Sequence, residues 1–152
     1  MSQNAAANYL RTKVLTATPE QVQLMLYDGA LRFAEQARPA LLERRFDQSH
    51  DLLTHTQKII LELQCTLKHD VAPDLCGKLA ALYNFVYRKL IDANTKHELS
   101  ALDEALRILR YQRETWAMLL SQLSKSKAAV AARGLDMPAP DARMEASISL
   151  QG

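Results

Sequence analysis

From Thr18 onward apolar residues recur at steps of three and four with charged residues between them, and no stretch alternates in the strand manner. This spacing predicts helices almost throughout. The first opens at Thr18, whose hydroxyl can cap, with Pro19 where its missing N–H costs nothing and Gln21 completing a Thr-x-x-Gln capping box. It extends to about Arg44, with a kink or break expected near Arg38 because Pro39 removes the hydrogen bond to the Glu35 carbonyl. Two apolar stripes run along it: Val22, Met25, Gly29 and Phe33 on one side, Leu24, Tyr27 and Leu31 on another. One stripe packs a core, and two need two neighbours. The second neighbour is either a sister helix or a helix of a partner protein.

A second helix is expected from an N-cap at Asp47 to about His69 and Asp70, burying Leu52, Leu53, Thr56, Ile59, Ile60, Leu63 and Leu67. Pro73 suits the first turn of a third, whose positions Leu75, Leu79, Leu82, Val86 and Leu90 are joined by Tyr83, Phe85, Tyr87 and Ile91, so it too is apolar on more than one side. The fourth starts near Glu98, carries Leu99, Leu102, Leu106, Leu109, Trp116, Leu119, Leu120 and Leu123, and continues through an Ala-rich stretch to Arg133. Gly134 is its natural stop, and the Pro-rich, polar segment 134–152 reads as a flexible, disordered tail. Short links between helices of similar length favour antiparallel neighbours. The expected fold is all-α, an antiparallel up-and-down four-helix bundle over 18–133, preceded by a mobile N-terminal arm over 1–17.

Composition narrows the function classes. With 152 residues the chain can bury a core without metal or disulfide staples. Nineteen Lys and Arg against 17 Asp and Glu create no field that would favour nucleic acid or an anionic membrane. No apolar run has the length of a signal segment or a membrane span, so a cytoplasmic protein without membrane insertion is expected. Cys65 and Cys76, eleven apart in helical patterns, read as buried reduced thiols.

Residues that could carry chemistry do not converge. His50 and His55 lie five apart, about 140° around a helix, and cannot share a face for a metal; His69 and His97 fall at helix ends. Asp28, Asp92 and Asp103 could form a polar network or supply a base, but no nucleophile, phosphate loop or metal set accompanies them. Arg107, Arg110 and Arg113 could track a phosphate backbone, yet Glu104 and Glu114 lie at ion-pairing offsets. No enzyme, cofactor or metal site is expected. What survives is the apolar excess of Leu24, Tyr27, Leu31, Tyr83, Val86 and Tyr87, which reads either as a partner groove or as core shared between sister helices.

Three segments in register carry a resemblance. The first is Tyr9-Leu10, Val14-Leu15-Thr16-Ala17-Thr18-Pro19 and Leu24-Met25-Leu26-Tyr27-Asp28-Gly29-Ala30-Leu31-Arg32-Phe33. The second runs from Ala81-Leu82-Tyr83 through Arg88-Lys89-Leu90-Ile91-Asp92-Ala93-Asn94, and the third is Ala101-Leu102-Asp103-Glu104-Ala105-Leu106. Together, over roughly residues 9 to 123, they resemble the flagellin-specific export chaperones of the FliS family. The resemblance implies a four-helix antiparallel bundle that covers the C-terminal segment of flagellin, prevents premature polymerisation and keeps it competent for flagellar type III secretion. It further implies that Tyr9, Leu10, Val14 and Leu15 belong to an arm lying where flagellin binds, and that Leu24, Tyr27, Leu31, Tyr83, Val86 and Tyr87 contribute to a groove. The cytoplasmic domain of the flagellar export gate is a further candidate partner. Two features depart from the family: Arg44-Arg45-Phe46-Asp47 replaces its frequent Gly-Asp turn, and the segment after Lys125 has no counterpart. The competing class is a helical adaptor or regulatory module binding another amphipathic segment.

Overall fold

A computed structural model describes residues 2–68, 70 and 72–136; the expectations for His69 and for most of the tail fall outside them. The described residues form five helices: α1 (Ser2–Thr16), α2 (Pro19–Leu42), α3 (Phe46–Cys65), α4 (Pro73–Lys96) and α5 (Leu99–Asp136). Packing divides the chain into two units, Met1–Ala117 and Met118–Gly152, and α5 contributes to both.

The capping box at the start of α2 forms as its residue types dictate. Gln21 donates its backbone N–H to Thr18 Oγ1 at 3.2 Å, and Thr18 donates its own to Gln21 Oε1 at 3.0 Å. The break expected near Arg38 does not occur, because Pro39 lies in the last turn and the helix continues through it to Leu42. The end is instead a Schellman turn: Arg44 N–H donates to Leu41 O at 3.1 Å and Arg45 N–H to Ala40 O at 2.8 Å. Arg44 takes the left-handed position at φ 58°, where most helices place glycine. An Arg44→Gly variant should therefore gain up to about 1 kcal/mol, read as a higher urea midpoint at unchanged slope. A lower midpoint would mean that the Arg44 guanidinium, 5.8 Å from the Phe46 ring centroid, contributes more than the strain costs.

Three other boundaries differ from expectation. The α3 helix starts at Phe46, placing Asp47 inside its first turn, where it favours the helix dipole without capping. It ends at Cys65, short of His69. The α5 helix passes through Gly134 to Asp136, since the alanines on its N-terminal side sustain the helix at a modest glycine cost. The arm segment is itself helical as α1. Its sequence shows no helical stripe because Tyr9, Leu10, Val14 and Leu15 spread around the helix, and side chains from Gln3 to Thr16 are exposed.

In the unit Met1–Ala117, α2, α3, α4 and the first half of α5 share one core. The α2 contribution is mostly small: Ala30, Ala34, Ala37 and Ala40 are buried beside Tyr27 and Leu41. Leu53, Ile60 and Leu63 from α3, Tyr83, Val86 and Leu90 from α4, and Leu102, Leu106 and Leu109 from α5 complete it. Both α2 stripes border neighbouring helices, the second only in part, since Leu24 and Leu31 stay half-buried. Phe33 stacks on His55 with ring centroids 5.2 Å apart, and a Cβ on Gly29 would stand 3.5 Å from Ile59 Cδ1, so one stripe faces α3. Asp28, Glu35 and Arg38, on the side of α2 that holds Leu24 and Leu31, reach Arg113 at 2.8 Å, Arg110 at 3.4 Å and Asp103 at 2.9 Å on α5. These pairs run in opposite sequence directions, which makes α2 and α5 antiparallel. The unit Met118–Gly152 is described through the continuing α5 helix, whose side chains from Ser121 to Gly134 are exposed.

Candidate partner-binding surfaces

Burial divides the six groove candidates. Tyr27 and Tyr83 are 3% and 0% exposed and Val86 is fully buried, so these three belong to the core and no partner can touch them while it is closed. Leu24, Leu31 and Tyr87 are half-buried. Leu31 and Tyr87 pack their inner sides on the core, leaving part of each surface for a ligand.

The two tyrosines read as apolar excess in the sequence but form a polar contact in the fold. Their hydroxyls share a hydrogen bond across α2 and α4. Burial pushes both phenols above their ordinary value; for Tyr83 the bond to Tyr27 adds to the rise, while for Tyr27 its bonds lower it in part. In the same core, Gln112 is 6% exposed and neither amide atom has a hydrogen-bond partner.

Two open grooves lie where α1 joins α2. The larger, about 770 Å³, is lined by Ala17, Pro19, Val22, Leu67, Leu79 and Trp116, with Gln23, Thr66 and Lys68 among its polar members. Trp116 is positioned there by its indole N–H, which donates to the Glu20 carbonyl at 2.9 Å. The smaller, about 330 Å³, has Lys13 and Thr16 from α1 on one wall and Gln21, Leu24, Met25 and Asp28 from α2 on the other. Ala17 lines both. Among the sequence candidates only Leu24 lines either groove. Trp116, Leu67 and Leu79 read as core stripe residues, because a groove assembled from separate segments leaves no periodic signal in any one of them.

Other apolar surface is open. Tyr9, Leu10, Val14 and Leu15 of α1 are exposed, as are Leu82 and Phe85 of α4 and Tyr111 of α5. Leu75, Leu82, Leu119 and Leu123, expected in the core, are on the surface because helical spacing gives the face of a helix but not whether a neighbour covers it.

The candidate chemical groups have structural partners. Asp28 and Asp103 bind Arg113 and Arg38, and Asp92 stands 3.7 Å from Lys96 one turn on. His50 Nδ1 lies 3.0 Å from Asn94 Oδ1, His55 Nδ1 2.7 Å from the Asp51 carbonyl, and His97 stacks on Phe46 at 3.7 Å. No group of three or more His, Cys, Asp or Glu is placed to hold a metal ion among the described residues. Cys76 is buried as expected but Cys65 is exposed, because it ends α3 on the outward side. No helix among the described residues is long and apolar enough to cross a membrane.

Comparison with known proteins gives consistent matches. The family model for the flagellar protein FliS matches residues 1–123. The flagellar secretion chaperone FliS of Bacillus subtilis is 31% identical over 125 residues, covering 82% of this chain and 92% of that protein. FliSB of Pseudomonas aeruginosa, also a flagellar secretion chaperone, is 28% identical over 70% of this chain and 85% of its own. Among solved structures, a bacterial flagellar chaperone superposes with a TM-score of 0.64 over 80% of this chain and 99% of its own, at 18% identity, a likeness of fold.

Proposed function

From the premise that this chain belongs to the FliS family of flagellar proteins, we propose that it is a cytoplasmic export chaperone for the C-terminal segment of flagellin. In this reading residues 18–133 are the chaperone domain, with an antiparallel up-and-down four-helix bundle at its centre, and residues 1–17 are an arm. The function is binding, without catalysis or cofactor. The cytoplasmic domain of the export gate is a further partner.

The observation that carries the reading is the pair of grooves meeting at Ala17, one walled on one side by the arm and on the other by α2. An amphipathic segment that folds as it binds gives up ordering entropy, and long apolar contacts over more than one face offset that loss. Leu24, Leu31 and Tyr87, half-exposed, replace the six sequence candidates as the partner-facing set, with Tyr9, Leu10, Val14 and Leu15 on the arm. Lys13 and Thr16 close one side of the groove that holds Leu24, which supports an arm that competes with the ligand.

Titration with a flagellin C-terminal peptide, using the full chain and a chain lacking residues 1–16, tests this. Removing the arm should raise the affinity or the association rate in calorimetry, and unchanged or weaker binding counts against the competing arm. Leu24→Glu should abolish binding while preserving the circular dichroism melt. Failure of the full chain to retain the peptide would favour an adaptor for a different amphipathic segment.

A further inference from the structure

Part of the core-facing side of α5 follows a heptad, with Ala101 and Leu106 buried beside it. Leu102, Leu109 and Trp116 alternate with Ala105 and Gln112 at steps of three and four, and the first four of these five in chain order are buried. The same register continues past Ala117 through Leu119, Leu123, Ser126 and Val130, where Leu119, Leu123 and Val130 are 46%, 48% and 65% exposed. A seam that packs a core in one half of the helix is therefore open to solvent in the other.

Its charge is one-sided. Between Glu114 and Asp136 there is no acidic residue, while Lys125, Lys127 and Arg133 are exposed. Lys127 flanks the seam, where charges across a helix pair select the partner, and Arg133 occupies its last position. Basic residues near a helix C-terminus also favour the dipole, but that role needs no apolar seam beside them. Ala128, Ala129, Ala131 and Ala132 have high helix propensity, so the surface is a preformed helix that costs little further ordering on binding. The basic residues of this end, Lys125, Lys127 and Arg133, lie beyond the family match, which ends at 123.

We propose that the end of α5, from Leu119 to Arg133, docks an acidic amphipathic helix in coiled-coil fashion. A second copy of the chain is disfavoured because this stretch offers no acidic residue to pair with Lys127 or Arg133, and in parallel register it sets Arg133 against Arg133. A lipid surface is disfavoured because Ser126 and Lys127 interrupt the apolar stripe between Leu123 and Val130, whereas an interfacial helix presents a broad apolar face. The inference stands apart from the flagellin reading.

The probe is a synthetic peptide of three heptads with Leu at the seam and Glu at the flanking positions, compared with a twin carrying Lys instead. The full chain should bind the Glu peptide roughly tenfold or more tightly than the Lys twin, with affinity falling as salt rises. Lys127→Glu with Arg133→Glu should abolish that preference, and Leu119→Ser with Leu123→Ser should abolish binding, both with unchanged circular dichroism melts. Equal binding of the twins, or binding that survives either pair of substitutions, overturns the proposal. So does a preference for phosphatidylglycerol vesicles over the Glu peptide, or a dimer in ultracentrifugation that the Leu119 and Leu123 substitutions dissolve. Loss of Glu-peptide binding with flagellin-peptide binding retained sinks this inference alone.

Discussion

A Tyr83→Ala variant is expected to lose about 3–5 kcal/mol of stability and to melt at least about 10 °C lower. Tyr83 is the largest side chain with no exposure. Truncation removes the ring from a core shared by four helical segments and leaves the buried Tyr27 hydroxyl without its partner. Surrounding side chains would have to collapse over a cavity between helices already held by ion pairs on their outer faces, so relaxation should be partial. Thermal and urea unfolding followed by circular dichroism measure the loss. A change below about 1 kcal/mol would mean that water reaches the site, reviving Tyr83 as part of a groove.

The Tyr27–Tyr83 pair should behave as a coupled unit. Tyr27→Phe leaves one buried hydroxyl without its partner and should cost about 1–3 kcal/mol, the range for an orphaned buried polar group. The double Phe variant removes both hydroxyls and should cost clearly less than the two single changes summed. A cycle of the four proteins in urea yields the coupling, and strict additivity would show that Gln23 or water satisfies each phenol separately. The pair also sets an alkaline limit. Burial raises both phenols above about 10, so their contribution is fully present below that pH and is lost as pH climbs through the raised folded values. Stability should therefore decline above about pH 10, and the decline should be shallower in the double Phe variant.

How much was legible in the chain varied with the range of the interaction. The capping box at Thr18 could be read because its groups lie within one helical turn. Helix identity followed from spacing, apart from α1, whose apolar residues form no stripe. At Pro39 the local rule was sound but its position misjudged, since a missing hydrogen bond in a final turn does not break a helix. The core of α2 was underestimated because Ala30, Ala34, Ala37 and Ala40 carry little hydrophobic signal, yet are fully or almost fully buried. Small side chains matter there by letting helices approach closely, which periodicity of large residues cannot register.

Burial split the six groove candidates of the sequence into two sets. Leu24, Leu31 and Tyr87 keep exposed surface, whereas Tyr27, Tyr83 and Val86 proved to be interior. By itself the sequence determined the helical class, the start of α2 and, through motifs in register, the family, all of which rest on contacts or patterns local to the chain. Tertiary structure alone decided which apolar faces are covered, that the phenols of Tyr27 and Tyr83 meet, and that Ala17, Leu67, Leu79 and Trp116 line one groove. The physical reason is that burial belongs to pairs of elements: a helix carries its stripe in its own sequence, but a neighbour determines whether that stripe is core or surface.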